Sequence, residues 1–187
     1  TVLGIEHILT GFYHLCFLLA LILLVRGIRQ LIWTVTAFTA AHSITLALAT
    51  MEVIHVPGPP VEATIALSIV FVAREIVQQR RGREGLAARQ PWLVAFAFGL
   101  LHGLGFAGAL AEVGLPASSV PLALLFFNIG VEIGQLLFVA CVLAAAQVLP
   151  RALSNRGELS RAAAVPAYLI GGVASYWLVE RVSNFWS

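Results

Sequence analysis

Residues 31–51 read LIWTVTAFTAAHSITLALATM. The run holds no Asp, Glu, Lys or Arg, and its only ionisable side chain, His42, sits at its middle. About 20 consecutive apolar residues cross the hydrocarbon core of a bilayer, so the run is long enough to do so. An ionisable group at that depth is expensive, and by default it marks a functional site. The rest of the chain repeats the pattern. Comparable stretches lie at 4–25, 61–79, 91–111, 119–148 and 163–182, giving six expected spans.

Composition agrees. Of 187 residues, 60% are hydrophobic and 11% charged, which leaves too little charge to clothe a water-facing domain. The expected fold is an all-α integral membrane protein, a six-transmembrane-helix bundle forming one domain over residues 1–187. The breaks fit this reading: His55-Val56-Pro57-Gly58-Pro59-Pro60 separates the second and third spans, and Gly114-Leu115-Pro116 the fourth and fifth. The chain begins at Thr1, which points to a removed signal peptide or a longer precursor. Cys16 and Cys141 lie in different spans without metal-knuckle spacing and read as small buried hydrophobes.

The arginines assign sides. Arg26 and Arg29 lie in the first loop, Arg80, Arg81, Arg83 and Arg89 in the third, and Arg151, Arg156 and Arg161 in the fifth; the second and fourth have none. The positive-inside rule places the odd loops in the cytoplasm and both termini outside. The outer side then carries Glu6, Glu52, Glu62, Glu112 and Glu180 against Arg181, an acidic mouth that concentrates cations. Trp33, Trp92, Trp177 and Trp186 lie near span ends, as interfacial anchors do.

Four ionisable residues converge on the expected midplane from four spans: His14, His42, His102 and Glu132. A single intramembrane histidine is more often a hydrogen-bonded packing residue than a ligand. Four at one depth are harder to explain as packing. Gly4, His7, Gly11 and His14 follow helical spacing and are expected on one stripe. Asn128, Glu132 and Gln135 define one polar face of the fifth span. Gly99 and Gly103 flank His102 and allow close helix packing. Thr39, Ser43 and Thr45 are expected to bond backbone carbonyls. Neutral imidazoles with a carboxylate or amide suit Ni, Co or Zn, whereas the lack of Asp and the few oxygen ligands argue against Ca²⁺ or Mg²⁺. The expected metal residues are His7, His14, His42, Glu62, His102, Asn128 and Glu132. The opposite starting sides of the two three-span halves allow a 3+3 inverted repeat, with His14 facing His102 and His42 facing the Asn128/Glu132 face.

Several segments resemble the HupE/UreJ family of hydrogenase and urease accessory membrane proteins. They are His7-Ile8-Leu9-Thr10-Gly11 with His14, Phe38-Thr39-Ala40-Ala41-His42-Ser43-Ile44-Thr45-Leu46, Val61-Glu62 with Ala66-Leu67-Ser68, Phe98-Gly99-Leu100-Leu101-His102-Gly103-Leu104-Gly105-Phe106, and Phe127-Asn128 with Gly130-Val131-Glu132 and Gly134-Gln135. The resemblance implies a multi-pass protein of the bacterial inner membrane, taken to be a nickel or cobalt permease that supplies metalloenzyme assembly. Many relatives end the first motif Gly-x-Asp-His; here Tyr13 stands at the Asp position.

The expected function is therefore a divalent transition-metal permease. Glu52, Glu62 and Glu112 would collect cations, His7 and His14 would pass them on, and His42, His102, Asn128 and Glu132 would bind them transiently. Two alternatives stand beside it. One is an intramembrane zinc hydrolase with Glu132 as general base. The other is a structural or accessory membrane subunit. The expected partners are a metal ion and the lipid bilayer, with an oligomer or metalloenzyme-assembly partners also admissible; no nucleic acid is expected.

Overall fold

The computed structural model describes residues 1–105, 119–148 and 164–185. Phe106, Glu112, the turn at 114–116, Arg151, Arg156, Arg161 and Trp186, all used above, lie outside the described residues. The described residues are helical, without a strand. The helices are α1 (Val2–Thr10), α2 (Phe12–Leu24), α3 (Ile28–Thr50), α4 (Gly58–Arg80), α5 (Leu86–Arg89), α6 (Pro91–Leu104), α7 (Val120–Val148) and α8 (Ala164–Ser183).

Apolar residues line both the inside and the outside of this bundle. Phe17, Leu21, Val35, Leu46, Ile69 and Ile76 are buried, while Leu125, Phe126, Ile129, Ile133 and Leu137 of α7 and Leu169, Val173 and Val179 of α8 are exposed. Soluble monomers rarely leave so continuous an apolar surface in water. The polar side chains are turned inward instead: Thr34, Thr39, Ser68 and Gln135 are buried. With lipid outside, burying apolar groups no longer drives assembly, so small residues and interhelical hydrogen bonds hold the helices together. The closest packing follows that rule. Gly99 and Gly103 of α6 lie on the Phe38 and His42 carbonyls of α3, where no side chain fits.

Contacts also set the helix directions. Residues 99 and 103 meet 38 and 42, so α3 and α6 run parallel. Ser68 meets His102 and Phe71 meets Phe98, so α4 runs against α6. Arg81 meets Tyr168 and Glu62 meets Arg181, so α8 runs against α4. Groups assigned to one side from sequence meet at one end: Arg26 with Glu84 and Glu62 with Arg181.

The expected spans are met in part. Among the described residues, α3 and α7 are each long and apolar enough to cross a membrane, and α1 with α2 qualifies only as a pair bent by 76°. By length and composition that makes two candidate spans among the described residues, or three if the bent pair is one. α6 is a shorter apolar helix of 14 residues. α4 has the length, at 23 residues, but carries Glu62, Arg74, Glu75 and Arg80. α8 is diluted by Pro166, Tyr168, Tyr176, Glu180 and Arg181. The stretch at 4–25 is not one rod: Gly11, with extended backbone (φ −79°, ψ 91°), separates the two helices.

Two further expectations change. Cys16 is half-buried and Cys141 exposed, so neither is a buried hydrophobe. Trp177 packs its ring 4.5 Å from Tyr13 rather than serving only as an anchor.

Candidate metal-binding cavity

His42 lies on the buried face of α3, in a helical series with Val35, Phe38, Thr39, Thr45 and Leu46. His102 holds the same place on α6, in series with Val94, Ala95, Gly99 and Gly103. Gly103 lets α6 touch α3, and both imidazoles pack against the Phe38 ring. The bend at Gly11 delivers the other two. His7 on α1 and His14 on α2 have ring centroids 4.7 Å apart. His14 lies 6.0 Å from His42 and 5.3 Å from His102, and His7 lies 6.1 Å from His42. The straight stripe expected through Gly4, His7, Gly11 and His14 is not formed. The histidines meet because the chain folds back, and His14 stands only one turn into α2.

Imidazole nitrogens bind such a metal at about 2.0–2.1 Å, and two of them at a tetrahedral angle put their ring centroids about 5 Å apart. His14 stands near that spacing from His7 and from His102, while His42 lies farther off, 6.0 Å from His14. Their nitrogens are not yet aimed together: among the described residues no three His, Cys, Asp or Glu side chains are arranged to hold an ion. The donor chemistry fits nonetheless. His14 Nε2, both ring nitrogens of His42 and His102 Nδ1 are buried without a protein hydrogen-bond partner. A buried polar atom left unpaired costs about 1–3 kcal/mol, so native proteins keep few of them.

Ser68 fixes one tautomer. Its hydroxyl lies 2.6 Å from the Ile65 carbonyl and 3.0 Å from His102 Nε2. A hydroxyl has one proton. If Ile65 accepts it, Ser68 must accept from His102 Nε2–H, and His102 Nδ1 then carries the lone pair that a metal needs. In sequence, Ser68 stands out only within the family-like segment Val61-Glu62 with Ala66-Leu67-Ser68.

Glu132 and Asn128 have hydrogen-bond partners of their own. Glu132 accepts a 2.6 Å hydrogen bond from Thr36, and Gln135 accepts one of 2.7 Å from Thr39. Thr36 precedes His42 by about 9 Å along α3 at 1.5 Å per residue. Asn128 donates to the Leu124 carbonyl at 2.9 Å, and its Oδ1 is buried without a partner. The polar face of α7 is real, but it is stitched to α3 by threonines. Thr39 also donates to the Val35 carbonyl at 3.2 Å, and Ser43 and Thr45 bond backbone carbonyls too, as expected.

Glu62 reaches the cavity from another side. A space of about 150 Å³ is lined by His7, His14, His102, Tyr13, Glu62 and Arg181, together with Ile65 and Gly105. On the opposite side aromatic rings close the cluster. Phe38 lies 5.0 Å from His102 and stacks 6.0 Å from His42, and Phe17 lies 5.2 Å from His102 and 6.0 Å from Phe98.

An apolar-surfaced helical bundle with polar groups inside is a membrane protein. A family model described as HupE / UreJ protein matches residues 1–181, and the chain belongs to that family. No curated protein and no solved structure matches it.

Proposed function

We propose that the protein is a divalent transition-metal permease, of nickel or cobalt type, whose ion passes through the cavity of His7, His14, His42 and His102. One observation carries this reading: four imidazoles from four helices cluster, and those of His14, His42 and His102 bury nitrogens that no protein group satisfies. Family membership supports it, since the family is associated with nickel and cobalt handling. A conducting site must bind weakly enough to release. Clustered rings with unaligned nitrogens suit transient coordination. The helix break at Gly11 belongs to the same reading, because discontinuous helices line ion sites in transporters. The chain lies in the bacterial inner membrane as a six-span bundle with both termini outside, the arginine-free loops facing out.

The zinc-hydrolase alternative is the weaker, because Glu132, its expected general base, is already engaged by Thr36. The test is the metal content of detergent-purified protein by elemental mass spectrometry, before and after chelator dialysis. The permease predicts metal that dialysis removes and added nickel, cobalt or zinc restores, with restoration lost in His42→Ala and His102→Ala. Zinc that survives dialysis stoichiometrically would sink it in favour of a hydrolase or a structural metal. Absence of any divalent binding would leave the accessory subunit.

A further inference from the structure

Three residues from three helices close one side of the histidine cavity. Arg181 Nε lies 2.9 Å from Glu62 Oε2. Its Nε and Nη2 each lie 3.3 Å from the Tyr13 hydroxyl, which accepts from the guanidinium. Trp177 packs on the Tyr13 ring. All three of Tyr13, Glu62 and Arg181 border the same space as His7, His14 and His102.

A fixed positive charge at the mouth of a cation site opposes its function, as like charges repel. The opposition disappears if the guanidinium is a tethered stand-in for the ion. With no metal present it neutralises Glu62. An arriving cation must take that carboxylate, and Arg181 must then leave. The pair is built to open: the Arg181 and Glu62 side chains are 34% and 44% exposed, and ion pairs so close to solvent are held weakly. A divalent ion competes for Glu62 with twice the charge of a monovalent one, so the exchange favours divalent cations.

We propose that Arg181 is a charge-selective latch on the histidine cavity, bound to Glu62 and steadied by Tyr13 until a divalent cation displaces it. This rests on the permease reading and adds its selecting residue.

The test is equilibrium binding of Ni²⁺ to full-length protein in detergent at fixed pH and ionic strength. Arg181→Gln should bind Ni²⁺ roughly fivefold more tightly, the scale of a partly exposed ion pair. Glu62→Gln should bind more weakly. The double variant should match Glu62→Gln, because the latch acts only through that carboxylate. Tyr13→Phe keeps both charges, should show a smaller gain than Arg181→Gln, and carries the test if Arg181→Gln does not fold. A merely structural Arg181 would change thermal stability and leave affinity alone. Unaltered affinity in folded Arg181→Gln and Tyr13→Phe, or a double variant in which the two effects simply add, overturns the latch while the permease stands. If wild-type protein binds no Ni²⁺, Co²⁺ or Zn²⁺, the permease reading itself fails and takes the latch with it.

Discussion

Ser68 has one hydroxyl proton, and its place decides what His102 can do. With the hydroxyl donating to the Ile65 carbonyl, His102 presents Nδ1 to the cavity. Ser68→Ala removes the acceptor for His102 Nε2–H and frees the ring. Loss of a group that orients a ligand costs about 10–100-fold in metal affinity, so Ni²⁺ binding should weaken by at least about tenfold; titration calorimetry that finds it unchanged would refute the tautomer assignment. Gly103 governs whether the site assembles at all. A Cβ there would strike the His42 carbonyl and Thr45 Oγ1, and backbone cannot step aside. Gly103→Ala should therefore destabilise the protein by about 1–3 kcal/mol, the usual cost of overpacking. Gly172→Ala meets nothing within 4 Å and should be neutral or slightly stabilising. Thermal-shift midpoints in one detergent compare the two, and equal shifts would contradict the packing account. His42 and His102 stood out in sequence through the cost of an ionisable group in lipid. The bond from Thr36 to Glu132 did not, because equal depth on two helices does not specify which faces meet.

At the scale of elements, the 76° break between α1 and α2 departs furthest from a sequence-based expectation. Helical spacing put His7 and His14 on one stripe, and they do meet, but across a fold in the chain. A lone glycine in an apolar run signals a packing notch or a bend equally well, and only α7 lying against Gly4 selects the bend. The connection between α4 and α6 shows a second device hidden from sequence. Glu75 is 4% exposed and accepts the buried Ala87 N–H at 3.0 Å, pinning α5 to the end of α4. Glu75→Ala leaves that donor unpaired, a cost of about 1–3 kcal/mol; Glu75→Gln keeps an acceptor and should cost less. Limited proteolysis should cut 81–90 faster in Glu75→Ala than in Glu75→Gln or wild type. Equal cutting in all three would show that the segment is held elsewhere.

For the whole molecule, the question is which helices cross and in which sense. Relative directions of α3, α4, α6 and α8 match an alternating path, although composition alone qualifies two helices and one bent pair. Charged α4 and polar α8 need their neighbours to be tolerated in lipid, because Glu62 is neutralised by Arg181 and Glu75 is turned to backbone. The positive-inside rule supplies the sense. In a background with Cys16 and Cys141 replaced, a membrane-impermeant thiol reagent applied to intact spheroplasts should label Glu52→Cys and leave Glu84→Cys unlabelled until lysis. The reverse pattern would invert the topology.

The sequence by itself determined the apolar surroundings of this protein, the charge of its loops and the histidines that stand out. Each of these follows from transfer energies, which attach to residue types wherever they sit along the chain. The tertiary structure decided which polar groups share a cavity. It joined Arg181 to Glu62 and Tyr13, sent Glu132 to Thr36, folded α1 back on α2 and gave His102 its serine. Those pairings depend on helix rotation, crossing and bend, and they join residues as far apart in the chain as Tyr13 and Arg181. Periodicity along one helix carries no information about the face its neighbour presents.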